Sequence, residues 1–407
     1  MSFIMNIRSV AKYESKILVR SWFFRIFTLL AVVFLGFFNF AMMLMEDNFG
    51  LWFAKSVSSN IPYLNLLLLN TGQAVVAVFL SSEFLKRDKK LDTSEVFYVR
   101  PLSNAEYVVG KIWGNLRVFL FLNLLVLAIV LAFNFMASGV TVDLPAYLVY
   151  FFLISIPTLI FIIGLSIFLM LLLKNQALTF ILLLGYIGLT LFYIQDKFYY
   201  LFDYMVYNLP LFKSTIVGFS NLELILNHRA IYFFAGLGFI FFTIFLFKRL
   251  PNARRSHYPW LFLSFCMFLL MVTAGFRHVR SILWEGEMRA LYTSINNKYV
   301  YEPKMAIDYY DISVEQKSET IRSVVGMEGT ALAASEVFIF CLNPGLRVEE
   351  VKDGEKSLNF KREEQILAVD FGRKIEKGDT ISFSVSYEGR IKDDFCYQDI
   401  PVEVLQQ

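Results

Sequence analysis

The chain has 407 residues, of which 57% are hydrophobic and 44 are phenylalanine, and its mean hydropathy is +0.55. These values exclude an ordinary soluble protein. The net charge of +3 is too small to indicate a nucleic-acid partner, because the basic residues gather at the ends of apolar segments. Apolar runs recur as far as about residue 276, and charged residues are common afterwards. The composition therefore predicts a membrane region followed by a soluble domain of roughly 130 residues.

An amphipathic helix is predicted at residues 1–21. Its apolar residues recur near helical spacing, and its basic residues follow at every fourth position: Arg8, Lys12, Lys16 and Arg20. The spaced charges exclude a cleavable signal peptide. We expect this helix to lie in the membrane interface with its basic side toward anionic headgroups, and to act as the positive flank that orients the first span.

Seven segments are apolar and long enough to cross about 30 Å of hydrocarbon. They are about 22–45, 62–82, 115–137, 147–173, 176–195, 230–248 and 259–276. Only Lys174 and Asn175 separate the fourth span from the fifth, which predicts a tight hairpin or a short re-entry. The second span carries polar residues that either line a pathway or hydrogen-bond between helices, the second use being favoured: Asn65, Asn70, Thr71 and Gln73.

The basic residues predict the orientation of the spans, because cytoplasmic loops are enriched in Lys and Arg. With the N-terminus in the cytoplasm, the opposite side holds 4 basic residues: Lys55, Lys197, Lys213 and Arg229. The cytoplasmic side holds 16: Arg8, Lys12, Lys16, Arg20, Lys86, Arg87, Lys89, Lys90, Arg100, Lys111, Arg117, Lys174, Lys248, Arg249, Arg254 and Arg255. We therefore expect a multi-pass protein of the cell (inner) membrane with an extracytoplasmic C-terminal domain. The aromatic but interrupted loop 196–229 predicts short helices at the outer interface.

Beyond residue 276 the pattern changes to the alternation of β-strands. Strands are predicted at residues 305–315, 336–342, 346–351, 366–371 and 380–389. The pairs Asp353-Gly354 and Gly378-Asp379 predict turns between strands. We expect an antiparallel β domain, either a sandwich or an open barrel, and a helical stalk at residues 277–300 before it. Cys341 and Cys396 either pair or remain inert thiols.

The chain lacks the motifs of an enzyme active site. No P-loop for ATP and no His-Glu-x-x-His zinc motif occurs, and the histidines, His228, His257 and His278, are scattered. No serine or cysteine nucleophile has a recognisable setting. We therefore expect neither a catalytic residue nor a metal site, and no enzymatic activity in this chain alone.

The longest polar interruption of the apolar region extends from Glu83 to Lys111. Asp92, Thr93 and Ser94 are N-cap candidates for a short helix, which Arg100-Pro101 would end. Ser103 or Asn104, followed three residues later by Glu106 or Tyr107, begins the next helix. These helix start and stop signals predict a short transverse helix on the cytoplasmic face. The alternative is a solvated loop.

The layout of residues 1–250 resembles the permease subunits of ABC-2 type ABC transporters. The motif between the second and third spans carries the resemblance: Glu83, Arg87, Thr93, Glu95, Pro101, Ser103, Tyr107, Gly110 and Lys111. The resemblance implies a coupling segment, residues 83–114, that contacts a separate ABC ATPase subunit through these residues together with Asp92 and Arg100. It also implies a second permease half, and it assigns ATP and Mg to the partner, with no cofactor bound by this chain.

The C-terminal segment resembles the start of the N-terminal β domain of M1-family zinc aminopeptidases. The resemblance rests on residues 336–360, 366–371 and 378–391. It implies a fold without activity, because the zinc motif and the exopeptidase motif have no counterpart. It leaves open a gene fragment, a natural short form and a subunit completed by another chain.

These patterns predict a polytopic α-helical membrane protein with a C-terminal antiparallel β domain. The domains are an amphipathic helix (1–21), an ABC-2-like bundle (22–250), a linker with the seventh span (251–276), a stalk (277–300) and the β domain (301–407). The favoured function is transport of an unknown substrate. The alternatives are a membrane anchor that displays a β binding domain, and a non-catalytic remnant of a membrane-bound M1 peptidase.

Overall fold

A computed structural model describes residues 3–44, 57–90, 102–136, 141–209, 211, 213, 221–247, 258–317, 319–392 and 395, with the backbone alone at 44 and 82–90. The chain forms two compact units, residues 1–279 and 280–407. The described residues form nine α-helices: α1 (Phe3–Arg20), α2 (Trp22–Leu44), α3 (Asn60–Lys90), α4 (Asn104–Met136), α5 (Leu144–Tyr150), α6 (Ile156–Leu173), α7 (Gln176–Leu189), α8 (Leu222–Leu246) and α9 (Tyr258–Lys298). Single π-helical turns, Phe151–Ser155 and Thr190–Ile194, follow α5 and α7.

Among the described residues, seven helical segments are long and apolar enough to cross a membrane, which confirms the predicted number. The helix of the third span begins at Asn104, which confirms the helix start predicted at Ser103 or Asn104, although its apolar part was placed only from about 115. The sixth begins at Leu222 rather than 230 and was predicted too short because its first turns contain charged residues. In the structure Lys111 and Arg229 are buried against protein, so their helices extend further than the apolar pattern does.

The predicted break between the fourth and fifth spans is a helix–helix hairpin. Lys174 ends α6 in the left-handed conformation, with φ of 53°. The Asn175 side chain then caps α7 by accepting a hydrogen bond of 3.2 Å from the Leu178 amide. Two residues therefore suffice to reverse the chain.

Helices α6 and α8 pack with their backbones in contact. A Cβ atom on Gly164 would lie 2.7 Å from the Gly236 carbonyl oxygen, and one on Gly236 would lie 2.7 Å from the Ile160 carbonyl. Small residues allow such close approach of membrane helices. Both helices therefore lie in the interior of the bundle.

The loop between α7 and α8 differs from the predicted interfacial helices. Its described part contains one 3₁₀ turn, Phe198–Tyr200, followed by a buried segment. Tyr204, Val206 and Leu211 are fully buried in the helical unit. The Tyr63 hydroxyl donates to the Val206 carbonyl (3.3 Å), which ties the loop to α3. Burial therefore accounts for part of the apolar composition of the loop, whereas Phe198, Tyr199, Phe202 and Tyr207 are exposed.

The second unit contains two antiparallel sheets. The strands are β1 (Met305–Lys317), β2 (Thr320–Ala331), β3 (Ser335–Cys341), β4 (Leu346–Asp353), β5 (Lys356–Ser357), β6 (Asn359–Glu363), β7 (Ile366–Ile375) and β8 (Thr380–Gly389). The five-stranded sheet has the order β1-β2-β8-β4-β5 and the three-stranded sheet the order β3-β7-β6. The Phe340 and Phe371 rings of the smaller sheet contact Phe383 of the larger at 5.1 and 5.5 Å. The sheets therefore share one core, as in a sandwich.

All five predicted strands are present, and both predicted turns occur. Gly354 and Gly378 adopt positive φ values of 60° and 94°, a region that favours glycine. The strands β2, β5 and β6 were not predicted. Cys341 ends β3. Its possible disulfide partner, Cys396, lies outside the described residues.

The predicted seventh span and stalk are one continuous helix, α9. Near its end Tyr292 is fully buried, and its ring contacts Phe395 at 5.5 Å. The Tyr292 carbonyl accepts a hydrogen bond of 2.7 Å from the Gln365 side chain. The last turns of α9 therefore belong to the β unit.

Candidate functional site: the α1–α4 junction and the buried polar core

A reciprocal cap begins α4 at the end of the polar interruption. The Glu106 amide donates to the Ser103 hydroxyl (3.2 Å), and the Glu106 carboxylate accepts from the Ser103 amide (2.6 Å). This is the capping box that Ser-x-x-Glu predicts. The same carboxylate accepts a hydrogen bond of 2.9 Å from Asn6 of α1. The cap therefore also holds the N-terminal helix.

Two glycines bring α1 and α4 into contact. A Cβ atom on Gly110 would lie 2.7 Å from the Cβ of Val10, and one on Gly114 would lie 2.7 Å from the Cβ of Glu14. Each distance is shorter than real Cβ contacts, so only glycine fits without displacement. The two helices run in the same direction over this contact, since Asn6 meets Glu106 and later residues meet Gly110 and Gly114 in turn.

A buried ion pair lies at the centre of this contact. The Lys111 ammonium is 3.3 Å from the Glu14 carboxylate, and each side chain is 3% exposed. Ser15 donates to the Gly114 carbonyl (2.7 Å), and Arg117 donates to the Ala11 carbonyl (2.9 Å). Breaking a buried pair by removing one partner typically costs about 3–5 kcal/mol, because the other charge remains buried. The pair therefore fixes the register of α1 on α4.

The end of α8 completes what we call the α1–α4 junction, the packed residues 6–18, 103–117 and 247. The Tyr107 ring stacks on Phe247 at 5.5 Å with the ring planes 7° apart. Asn104 donates a hydrogen bond of 2.6 Å to the Phe247 carbonyl. The first turn of α4 is thereby held by α1 and by the residue that follows α8.

The other predicted coupling residues have different placements. Glu83 and Arg87 lie in the last turns of α3, where the backbone alone is described. The remainder lie outside the described residues: Asp92, Thr93, Glu95, Arg100 and Pro101. The structure therefore brings together Ser103, Tyr107, Gly110 and Lys111, all at the start of α4.

The basic residues of α1 are exposed, opposite the side that packs on α4. The buried side of α1 includes Ala11, Glu14, Ser15 and Leu18. Part of the side of α1 that was predicted to be apolar therefore packs against α4. Ile4, which belongs to the predicted apolar pattern, is 61% exposed.

A polar network lies between α3, α4 and the π-turn before α6. Ser155 donates to Asn123 (2.8 Å), Asn123 donates to Gln73 (2.9 Å), and Asn70 donates to Ser155 (3.2 Å). All four side chains are fully buried. Asn65 of α3 makes a separate pair of hydrogen bonds with Asn39 of α2, at 2.7 and 3.0 Å.

Thr71 behaves differently from its polar neighbours on α3. Its hydroxyl donates to the Leu67 carbonyl of the same helix (2.9 Å). Asn65, Asn70 and Gln73 each bond to another helix or turn, directly or through the network. In this conformation these three side chains hold helices together.

Arg229 joins the π-turn to the loop before α8. Its guanidinium donates to the carbonyls of Leu153 (2.7 Å) and Ile154 (3.3 Å) in the π-turn and to that of Tyr204 (2.9 Å) in the loop. A π-turn displaces carbonyls from the ordinary helical ladder, and π-turns are frequent at functional sites. Because Ser155 of the same turn belongs to the polar network, the network and the loop are linked through Arg229 and the backbone of residues 153–155.

Asp203 shapes the loop beside Arg229. Its carboxylate accepts hydrogen bonds of 2.8 Å from each of the Tyr207 and Asn208 amides. Burial raises the pKa of Asp203, while the two amides and the Arg229 charge act in the opposite direction. The loop conformation thus depends on one buried acid and one buried base.

Sequence reasoning missed Glu14, Asn123 and Arg229. Glu14 interrupts the side of α1 opposite its basic residues, and Asn123 interrupts an apolar span, so each carried a signal. Arg229 was assigned to a loop because the sixth span was predicted to begin one residue later. No group of three or more His, Cys, Asp or Glu side chains suited to a metal occurs in the part of the chain that the structure describes.

Comparison with solved structures yields a partial likeness to an M1 zinc metallopeptidase. No family model and no curated protein matches the chain. The chain is similar to the crystal structure of an M1 zinc metallopeptidase from Deinococcus radiodurans with a bound Tyr-Ser-Ala substrate. The match has 17% identity and a TM-score of 0.20, and it covers 21% of this chain and 21% of that one. The chain thus spans about a fifth of the peptidase's length, and a likeness of this size carries no conclusion about function.

Proposed function

We propose that this chain is a permease subunit of an ABC transporter, which moves a substrate across the membrane with energy from ATP hydrolysed on a separate ATPase subunit. The observation that carries the proposal is the α1–α4 junction. Its glycine contacts and its buried ion pair lie directly after the polar segment that would meet the ATPase. ATP and Mg would be bound by the partner.

The junction gives a mechanical reason for this assignment. A displacement of the coupling segment would move α1 and α4 together, because Gly110 and Gly114 leave no space between them and a separation would expose or unpair Glu14 and Lys111. The same helix α4 carries Asn123 into the polar network with α3. A displacement of the start of α4 would therefore also shift Asn123 in the interior of the bundle.

The polar network is the best candidate for the part of the bundle that rearranges. Its four members satisfy one another in the present conformation. A polar group that loses its partner inside a membrane bundle must find another or meet water. We infer that a shift of α4 would exchange these bonds for bonds to water or to the substrate.

Affinity purification from native membranes tests the proposal. We expect a P-loop ATPase to co-purify and its ATP hydrolysis to respond to the permease. The double substitution Glu95→Ala/Arg100→Ala should lower that response while membrane insertion persists. The matched control Glu355→Ala/Lys377→Ala removes one acid and one base from exposed positions in the β unit and should change neither property.

Two results would contradict the proposal. Repeated purification without any ATPase would favour the alternative of a membrane anchor that displays the β domain. Full recruitment and full stimulation in the Glu95→Ala/Arg100→Ala variant would contradict the coupling role of the segment even if an ATPase is present.

A further inference from the structure

Strand β1 is a long, exposed edge of the five-stranded sheet. It extends over 13 residues and has β2 as its only neighbour among the described strands. Every side chain from Asp308 to Lys317 is exposed. Natural edge strands are usually short, covered, bulged, or protected by charged side chains and proline. This strand has no proline, a single lysine, Lys317, at its end, and one bulge, between Ile307 and Tyr309, which leaves residues 309–317 in regular register.

One side of β1 is an uncovered continuation of the core. Ile312 lies opposite Val325 of β2, and residues opposite one another in an antiparallel sheet share a face. Val325 is 5% exposed, whereas Tyr310, Ile312 and Val314, on the same face, are 53%, 57% and 54% exposed. Burial on this face therefore reaches Val325 of β2 and does not extend to these three residues of β1.

The other side of β1 carries two acids. Asp311 and Glu315 alternate with the apolar residues, so both lie on the outer face, together with Tyr309, Ser313 and Lys317. Glu315 lies opposite Arg322 of β2, whose guanidinium pairs with Glu349 and Glu388. Neither Asp311 nor Glu315 forms an ion pair with any residue that the structure describes. The strand thus combines bare hydrogen-bonding groups, an apolar side and a side with two carboxylates outside any ion pair.

Charge disfavours two of the registers in which β1 could pair with a second copy of this chain. Antiparallel pairing about Asp311 would place this residue opposite its own copy, and pairing about Ser313 would place Asp311 opposite Glu315. Like charges directly opposite one another destabilise a sheet. Pairing about Val314 would place Asp311 opposite Lys317, so the test below also measures self-pairing.

We propose that β1 is a docking strand for an extended polypeptide segment whose side chains alternate between apolar and basic. The segment adds a sixth strand to the sheet, so that backbone hydrogen bonds provide affinity and alternate side chains provide specificity. Its apolar side chains pack beside Tyr310, Ile312 and Val314. Its Lys or Arg side chains face Asp311 and Glu315. This site is independent of the proposed transport function.

The test uses the full chain in neutral detergent and two labelled synthetic peptides of nine residues, one alternating valine with lysine and one alternating valine with glutamate. We expect the lysine peptide to bind, as fluorescence anisotropy reports. Bound peptide should slow amide hydrogen exchange in residues 308–317 and leave β5, at the opposite edge of the sheet, unchanged.

Charge reversal makes the test specific. Asp311→Lys/Glu315→Lys should weaken binding of the lysine peptide by about tenfold or more at low salt, and should reverse the preference toward the glutamate peptide. The control Glu336→Lys/Glu355→Lys changes two exposed acids elsewhere in the unit and should leave Kd unchanged. Both variants should keep the unfolding temperature of the parent.

Three outcomes would overturn the proposal. The first is the absence of exchange protection in β1 with either peptide. The second is equal weakening by the two charge-reversed variants, which would indicate attraction to net charge alone. The third is protection of β1 that rises with protein concentration without peptide, which would make a second copy the occupant.

Discussion

At the scale of single residues, two glycines decide how closely α1 approaches α4. Gly110 and Gly114 are one turn apart on α4, and each would clash with α1 if it carried a Cβ atom. Membrane helices use small residues in this way because packing replaces the hydrophobic effect as the force between them. The sequence motif ending in Gly110-Lys111 thus has a structural meaning that does not depend on any partner.

We predict that Gly114→Ala destabilises the protein. The added methyl meets the Glu14 Cβ at 2.7 Å and the Ala11 carbonyl oxygen at 2.9 Å. Overpacking typically costs about 1–3 kcal/mol, more than the roughly 0.5–1 kcal/mol that alanine gains over glycine in a helix. The midpoint of thermal unfolding in detergent should fall. Gly185→Ala is the matched control, because no atom lies within 4 Å of its added Cβ, and it should leave the midpoint unchanged or raise it.

An equal midpoint for the two alanine variants would show that α1 yields easily. The contact would then be too soft to transmit a displacement, and the mechanical part of the proposed function would fail.

Contacts between residues that are distant in the sequence were the hardest feature to predict. Lys111 was recognised, but as a residue for a partner protein, and Glu14 was not recognised. The two are far apart in the chain, and a periodic pattern reports only neighbours within a few turns. Asn70 and Gln73 were predicted to face other helices, and the structure gives them their partners Ser155 and Asn123.

At the scale of elements, local signals predicted where segments begin and end. The Ser-x-x-Glu pattern located the start of α4, and the pair Lys174-Asn175 located the break between α6 and α7. Strands with clean alternation were predicted correctly. The strand β2 was missed because Gly326 and Gly329 interrupt its alternation. A Cβ atom on Gly329 would lie 2.8 Å from the Ile307 Cδ1 and 3.1 Å from the Ala306 carbonyl oxygen of β1, so the glycine gives the two strands room.

We predict that Ser103→Ala loosens the first turn of α4. Loss of an N-cap side chain costs about 1 kcal/mol, and Glu106 would lose the acceptor for its amide. Hydrogen exchange at the Glu106 amide should become severalfold faster. Ser103→Thr keeps the hydroxyl and should restore slow exchange. Unchanged exchange in the alanine variant would mean that packing against Phe247 and α1 holds the turn without the cap.

At the scale of the whole molecule, the predicted classes of structure are present. A bundle with seven membrane-capable helices precedes an antiparallel β unit. Composition sufficed for this division because apolar runs and alternating strands differ in period and in charge. The start of the sixth span could not be predicted, because a hydropathy pattern does not distinguish a charge in water from a charge buried against protein.

We predict that α1 and the β unit lie on opposite sides of the membrane, since an odd number of spans separates the two. The test places a single cysteine in each location and labels it with a membrane-impermeant maleimide. Native Cys341, which is exposed, should react in intact cells after Cys266→Ser and Cys396→Ser. Lys12→Cys, in a chain that also carries Cys341→Ser, should react only after lysis. Labelling of both positions from the same side would contradict the seven-span topology.

The pairing of Glu14 with Lys111 also sets an order of events during synthesis. Almost a hundred residues separate the two in the chain, so at 5–20 residues per second the ribosome needs roughly 5–20 s to supply the lysine after the glutamate. Throughout that interval the N-terminal helix has no α4 to receive it. We expect it to remain at the membrane surface, with its carboxylate in water, while α2 and α3 insert. The first helix therefore joins the bundle late in assembly. In a nascent chain halted before Lys111, α1 should be accessible to a soluble protease.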